Sequence, residues 1–482
     1  VGQYLPYYIC DYYVSYPVNG VAAGQCGAPD MFVESDTNTE VMTHELRINT
    51  DLSDTMSLTA GAFISDLELL EHNMFTYPGT LVSDVGWSTA NYVLTDTSVF
   101  GYQALGKTKE YAGEGWNSGR GPYAPPVAFI NDIKRTDKQK GVFGEVNIAM
   151  SDTVELTLGA RWYDIEVDLE GSANAIAGTG FGGGDQQRFG TNLSGAFNAP
   201  GEVTGNPVLD ALDYPDKAVS DGVIGKATLA WNKSEDVMYY VTWSEGFRPG
   251  LLNRPAGAVS TDGTYTVRPV TDSDEITNYE FGWKTVLRDG QLRFNGAAFF
   301  VDISGLQTSI LDPAMGTNLF FSDNAADAEI SGVEGDFTYY TNTDGLVVSG
   351  AFSMLDSEIK KSLTTDDVVA GMPLAFAPEM QGNIAVRKEW GMSSGNMGHI
   401  QAQVTWSDES YSDIIEANKG KQDSYSFMNL RAGISNDEWM AELYVDNVTD
   451  ERGEISNNFV FDVERVTYIR PMTVGVRFKQ NF

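Results

Sequence analysis

The feature that most constrains this chain is an alternation of apolar and polar residues with period two, recurring along most of its length. In the last segment Met472, Val474, Val476, Phe478 and Phe482 fall on one side of an extended chain, and Thr473, Gly475, Arg477, Lys479 and Asn481 on the other. Successive side chains of a strand point to opposite faces, so such a segment has one face fit for an apolar medium and one fit for water. Val154, Leu156, Leu158, Ala160 and Trp162 alternate in the same way with Glu155, Thr157, Gly159 and Arg161. Tyr279, Phe281 and Trp283 alternate with Asn278, Glu280, Gly282 and Lys284; Met428, Leu430, Ala432 and Ile434 alternate with Asn429, Arg431 and Gly433. One such stretch decides little, but about a dozen of them define a half-apolar sheet.

The pattern predicts strands at 39–50, 55–70, 135–150, 153–167, 218–232, 236–246, 275–288, 290–303, 328–341, 345–358, 376–390, 396–408, 424–436, 438–449 and 467–482. Short and long connections alternate between them. The short ones are turn-like, as at Asp152, Asp289 and Asp437; the long ones, 71–134, 168–217, 247–274, 304–327, 359–375, 409–423 and 450–466, are polar and rich in Gly, Asp, Ser and Pro. Short turns at one end and long loops at the other are the layout of an outer-membrane barrel. The expected fold is therefore all-β, a transmembrane antiparallel β-barrel of about 15 strands, with the long loops outside and the short turns in the periplasm. In that frame 1–37 is an extracellular loop segment and 38–482 the barrel. A soluble sandwich or propeller has no reason to segregate loop lengths in this way. The mean hydropathy of -0.23 fits, because a barrel hides its apolar half by alternation. Tyr239, Tyr240, Trp243, Phe247, Phe299 and Phe300, near strand ends, are expected to form interfacial girdles.

The formal charge of -36 at pH 7 excludes nucleic acid as a partner, since phosphates need clustered Lys and Arg. Cys10 and Cys26 lie in one polar N-terminal segment, which suits a disulfide closing a surface loop in an oxidising compartment; two free thiols are the alternative. His44, His72 and His399 are scattered with no metal-ligand spacing, so neither metal nor cofactor is expected. Ser, His and Asp form no nucleophile motif, and the chain is not read as an enzyme. Asp272-Ser273-Asp274-Glu275 and Asp366-Asp367 lack the spacing of a calcium loop and read as solvated charge runs. Gly178 to Gly184 reads as flexible loop, since no strand and helix flank it. Val1 opens directly on Tyr-rich polar sequence with no leader, so the start reads as trimmed.

Several segments go further than pattern. The ending Arg470-Pro471-Met472-Thr473-Val474-Gly475-Val476-Arg477-Phe478-Lys479-Gln480-Asn481-Phe482 resembles the last strand of TonB-dependent receptors, although Gln480 replaces the usual apolar residue. Tyr240-Val241-Thr242-Trp243-Ser244-Glu245-Gly246-Phe247-Arg248-Pro249-Gly250 is similar to that family's strand-to-loop segment. Asn278 to Lys284 followed by Leu292 to Phe300, Asn324 to Glu334, and Tyr444 to Glu451 also resemble family segments, in family order from about residue 39 to 482.

The resemblance implies an outer-membrane receptor that imports a scarce nutrient, such as an iron-siderophore complex, by energy-coupled transport. It implies a plug domain through which the TonB energy-coupling complex acts, and recognition of terminal Phe482 by the barrel-assembly machinery. Members carry an N-terminal plug and a barrel of roughly 22 strands. Nothing in this chain resembles the plug, so it reads as the C-terminal portion of such a barrel, beginning just before the family's eighth strand. A smaller self-contained barrel, with Tyr4 to Tyr16 as an extra strand and a passive porin-like function, is the alternative. Glu45, Arg47, Glu145, Arg161, Glu280, Lys284, Arg293, Arg387, Arg431, Glu442 and Arg477 fall on the inner face, where they can meet water, one another or a plug. Ligand contacts are expected from the external loops: Arg248, Asn253 and Arg254 above a strand top, and Trp87, Trp116 and Tyr123 in the longest loop.

Overall fold

Alternating segments of this kind cannot satisfy their backbone alone and must pair edge to edge. In the computed structural model, which describes residues 9–10, 26–27, 32–76, 127–175, 217–253, 268, 270–311, 320–364, 368–416, 419–460 and 463–480, they do so. The strands in chain order are β1 (Ile9–Cys10), β2 (Cys26–Gly27), β3 (Phe32–Ser53), β4 (Met56–Thr76), β5 (Val127–Ser151), β6 (Val154–Ala175) and β7 (Ala218–Ser234). They continue with β8 (Val237–Arg248), β9 (Asp274–Leu287), β10 (Leu292–Leu311), β11 (Phe320–Tyr340), β12 (Leu346–Ser362), β13 (Met380–Gly391) and β14 (Met397–Ser407). The last are β15 (Ser410–Tyr411), β16 (Lys421–Gln422), β17 (Tyr425–Ser435), β18 (Trp439–Asp446), β19 (Glu454–Val460), β20 (Val463–Tyr468) and β21 (Thr473–Gln480).

A single 15-stranded antiparallel sheet runs β3-β4-β5-β6-β7-β8-β9-β10-β11-β12-β13-β14-β17-β18-β21. Each strand lies beside its predecessor in sequence, the up-and-down order that short turns impose. The turn between β9 and β10 shows how tightly the chain reverses: Arg288, Asp289 and Gly290 have φ of 54°, 53° and 89°. Among the described residues β3 and β21 are the two edges of the sheet, and β1 pairs only with β2, not with the sheet. The apolar faces point outward. Val474, Val476 and Phe478 are 62, 74 and 64% exposed, while Arg477 on the opposite face reaches Glu442.

Three expectations shift. Most strands from β3 to β12 run further towards the long-loop end than the alternation indicated: 135–150 becomes Val127–Ser151, 153–167 becomes Val154–Ala175, and β3 already begins at Phe32, inside the 1–37 segment; β13 and β18 instead stop short, since 376–390 begins at Met380 and 438–449 ends at Asp446. The backbone ladder needs no apolar side chain, so it continues past the last residue that keeps the pattern. Segment 467–482 is two strands. Its first residues belong to the β19–β20 hairpin, and β21 starts after Pro471, which has no N–H to donate. The girdle also loses members. Tyr239 does join an outward row with Trp231 and Phe281, at 5.9 and 6.2 Å between ring centroids, but Tyr240 turns inward and Phe247 stacks on Tyr163.

The buried apolar residues gather at the long-loop end. One cluster joins Ile133, Tyr163, Ile165, Val167, Leu169 and Ala218 of β5–β7 to Leu252. Another joins Ile310, Phe321, Ala325, Ala326 and Ile359 to Val368, Ile414 and Ile415 in the neighbouring loops.

Candidate functional site

Two zones of polar chemistry stand on this frame: a brace where the long loops leave the sheet, and the inner wall below it. The brace begins at Asp274, the first residue of β9, which is fully buried. A carboxylate out of water must be charge-paired and hydrogen-bonded. Arg248, at the end of β8, donates to it from its backbone N (2.9 Å), its Nε (2.7 Å) and a terminal guanidinium nitrogen, and Gln307 N donates at 3.3 Å. The Gln307 side chain then donates to the carbonyls of Pro249 and Asp272 at 3.0 and 2.9 Å. Strands β8, β9 and β10 are thereby locked together at their tops. The acidic run at Asp272 to Glu275 is therefore not uniformly solvated, because Asp274 is its buried anchor.

Three asparagines repeat one device. Each side chain donates to two backbone carbonyls and accepts one backbone N–H, which an amide can do and a carboxylate cannot. Asn253 donates to Arg268 O and Ser322 O, both at 2.7 Å, and accepts from Ser322 N at 2.8 Å. Asn324 donates to Asp272 O (3.0 Å) and Gly305 O (2.7 Å) and accepts from Asp272 N (2.8 Å). Asn447 donates to Glu451 O and Arg470 O and accepts from Glu451 N, all at 2.9 Å. The first ties the segment after β8 to the segment before β9 and to β11; the second ties β11 to the segment before β9 and to β10; the third ties the two ends of the loop between β18 and β21. At roughly 1 kcal/mol per hydrogen bond, each is a firm local fastening.

Of the candidate contact residues, the structure brings Arg248 and Asn253 together in this brace. The Arg248 side chain remains 52% exposed above Asp274, whereas Asn253 is buried. Arg254, Trp87, Trp116 and Tyr123 lie outside the described residues, as do Phe482, Asp366, Asp367 and Gly178 to Gly184. The backbone of Cys10 stands directly opposite that of Cys26 in the β1–β2 pair.

On the inner wall, the expected charges largely find partners, either along their own strand or across the sheet. Arg47 meets Glu45 at 2.6 Å, Lys226 meets Glu145 at 3.4 Å, and Arg387 meets Glu389 at 2.8 Å. Tyr240 donates to Glu280 at 2.5 Å, and the guanidinium of Arg161 sits 5.6 Å from the Phe63 ring centroid. Glu442 is the most shared group, with His399 at 3.0 Å and Arg431 and Arg477 each at 3.5 Å. Glycines make two of these reaches possible. A Cβ at Gly282 would lie 2.1 Å from the Tyr240 ring, and one at Gly433 2.6 Å from the His399 ring. The inward contacts of His399, Tyr240 and Lys226 escaped the sequence reading, and so did the roles of Asp274, Asn324 and Asn447. The usable signal was the glycine directly across the strand pair from each ring, which needs the register to be seen.

A large up-and-down sheet with a lipid-fit outer face, a charged inner face and braced loops at one end defines the class, an outer-membrane β-barrel. The chain belongs to the TonB-dependent receptor family: the model "TonB dependent receptor-like, beta-barrel" matches residues 12–448. It is accordingly an outer-membrane protein of a receptor and transporter family, not an enzyme. Among solved structures, the ferric yersiniabactin uptake receptor FyuA from Yersinia pestis resembles it with a TM-score of 0.65 at 14% identity, over 95% of this chain and 56% of that one. The siderophore receptor PiuA from Acinetobacter baumannii gives 0.60 at 18% identity, over 92% and 56%. The ferric-catecholate import receptor Fiu from E. coli K12 gives 0.58 at 14% identity, over 92% and 55%. The chain thus spans little more than half the length of these relatives.

Proposed function

We propose that this chain is the barrel part of a receptor that captures a scarce nutrient, such as an iron-siderophore complex, at the cell surface and admits it by energy-coupled transport. The TonB complex would act through a plug seated against the charged inner wall. The observation that carries this reading is the family match over 12–448, together with structural neighbours that are receptors for ferric siderophores. The brace supports it as well. Loops held by buried hydrogen bonds lose less entropy on binding than free ones, so they present donors already placed. Arg248, anchored on one side and open on the other, is the donor placed in this way; Asn253 holds the loop that follows it. Arg254, Trp87, Trp116 and Tyr123 complete the proposed contact set. Phe482 is the proposed handle for barrel assembly, and outer-membrane lipid covers the outer face.

A strain lacking the gene, grown on a panel of single iron and carbon sources, tests the function. Loss of growth on one chelate is expected, and identical growth on every source rejects a dedicated receptor. We also propose that Cys10 and Cys26 form a disulfide in an external loop, since directly opposed strand residues lie within the Cα separation that a disulfide spans. In the chain-entropy model, closing so short a loop contributes on the order of 3 kcal/mol. Mass spectrometry of the unreduced chain should find a linked peptide pair; two alkylatable thiols would reject it.

A further inference from the structure

On several strands the alternation reverses phase without the strand breaking. On β6 the outer face carries Val154, Leu156, Leu158, Ala160 and Trp162, with Glu155, Thr157 and Arg161 inside. Beyond Trp162 the outer positions are Asp164, Glu166 and Asp168, while Tyr163, Ile165, Val167 and Leu169 are only 7, 4, 2 and 4% exposed on the inner face. On β4, Ile64 is followed outside by Asp66 and Glu68, with Leu67 and Leu69 inside. On β12, Met354 is followed outside by Asp356 and Glu358, while Ile359 is fully buried inside. On β10, Phe300 gives way outside to Asp302, and Ile303 is buried. On neighbouring strands these changes fall within one outward row of each other: Val142 pairs with Trp162, and in the next outward row Lys140 pairs with Asp164 on one side and with Ile64 on the other. Above that row the outer face is laced by ion pairs between strands, Lys217–Glu166 at 2.8 Å and Lys134–Glu68 at 2.7 Å.

We infer that this phase reversal is the outer limit of the bilayer hydrocarbon. Acyl chains cover the outer face up to Ile64, Val142, Trp162, Phe300 and Met354. The sheet then stands clear of the membrane as a wall with a charged outer skin and its own apolar core inside. The inference rests on the outer-membrane reading and deepens its lipid partner. Two physical arguments carry it. Outward Asp, Glu and Lys are costly in hydrocarbon and cheap one row above it. The apolar stretch 154–162 of β6 covers about 30 Å along a strand, hence about 20–25 Å across a bilayer at a tilt of roughly 35–45°, which matches the height of a barrel's apolar band. Above the boundary the strand has water outside, so its apolar side chains turn inward, where Leu252 and the stacked pair Tyr163–Phe247 (3.7 Å between centroids) cover them. The brace at Arg248 and Asp274 is thereby placed above the lipid.

The test uses the full chain in lipid vesicles, with single spin labels in a Cys10→Ser, Cys26→Ser background at Leu158→Cys, Ala160→Cys, Asp164→Cys and Glu166→Cys. Collision with oxygen, which concentrates in hydrocarbon, is compared with collision with a water-soluble nickel chelate. Oxygen should dominate at 158 and 160 and nickel at 164 and 166, so that the ratio inverts across Trp162. Met354→Cys and Glu358→Cys on β12 should invert in the same way. Oxygen-dominated labels at 166 and 358, or nickel-dominated labels at 158 and 354, in a chain that has inserted would overturn the boundary alone. Failure of the full chain to float with vesicles would overturn the membrane reading as well.

Discussion

Residues 154–162 and 163–169 of β6 share one unbroken strand and one ladder of hydrogen bonds, yet they obey opposite rules. In the first stretch Leu158 is 45% exposed on the outside and the polar residues face inward; in the second Val167 is 2% exposed on the inside and the carboxylates face outward. The backbone does not distinguish the two, because a ladder is indifferent to which face is wet. What differs is the medium beyond the outer face. Identical geometry therefore carries opposite side-chain energetics in its two parts, and substitutions should separate them.

The largest effect is expected at the brace. Arg248→Ala leaves the buried carboxylate of Asp274 without its cation; because Arg248 is half exposed, the cost is expected towards the lower end of the about 3–5 kcal/mol typical when one partner of a fully buried pair is removed. Hydrogen exchange of the amides of Gly250, Leu251 and Gln307 should accelerate by the corresponding factor. Asp274→Asn should cost less, since Arg248 is half exposed and can rehydrate. Equal loss in both variants would mean that burial of the charge is not what matters.

Next comes the apolar core above the boundary. Ile165→Ala removes methylenes from a packed site and is expected to destabilise by about 2–5 kcal/mol. Leu158→Ala, which changes only a lipid-facing surface, should cost clearly less in guanidinium unfolding from vesicles. If the two match, the second stretch is not a water-backed core.

The charged substitution runs the other way. Leu158→Arg, near the middle of the apolar band, should cost roughly 2–4 kcal/mol, and Thr136→Arg, on the outer face above the boundary, about 0–1 kcal/mol. A penalty at Thr136 as large as that at Leu158 would move the boundary outward.

The smallest effect concerns Glu166. The hydrogen bond and charge of Lys217 hold its carboxyl below the usual glutamate range. Because the folded value is depressed, the stabilisation is present above the unfolded value and is lost as pH falls through the folded one. Carboxyl NMR should show Glu166 titrating low, and Lys217→Met should raise it. No change on that substitution would remove the ion pair from the account of the outer skin.

How far the sequence could be read followed from locality. Alternation is a property of neighbouring residues, so the number of sheet strands, their up-and-down order and the inward position of Glu280, Arg431 and Arg477 could be read directly. The strand ends towards the long loops could not, since Tyr163 to Ala175 breaks the phase on which the reading depended. The brace was half legible. Arg248 and Asn253 stood out as polar groups at a strand top, but Asp274 looked like one member of a solvated acidic run.

By itself the sequence determined the class of sheet, the face each strand offers to lipid and the family to which the chain belongs, because each of these is written in residues a few positions apart. Only the tertiary structure decided that Asp274 is buried, that Asn324 of β11 bonds Asp272, 52 positions away, and that His399 reaches Glu442 across Gly433. Those facts depend on register between strands and on which side chains share a row. Register emerges only when every strand is laid against its neighbours, so no local pattern carries it.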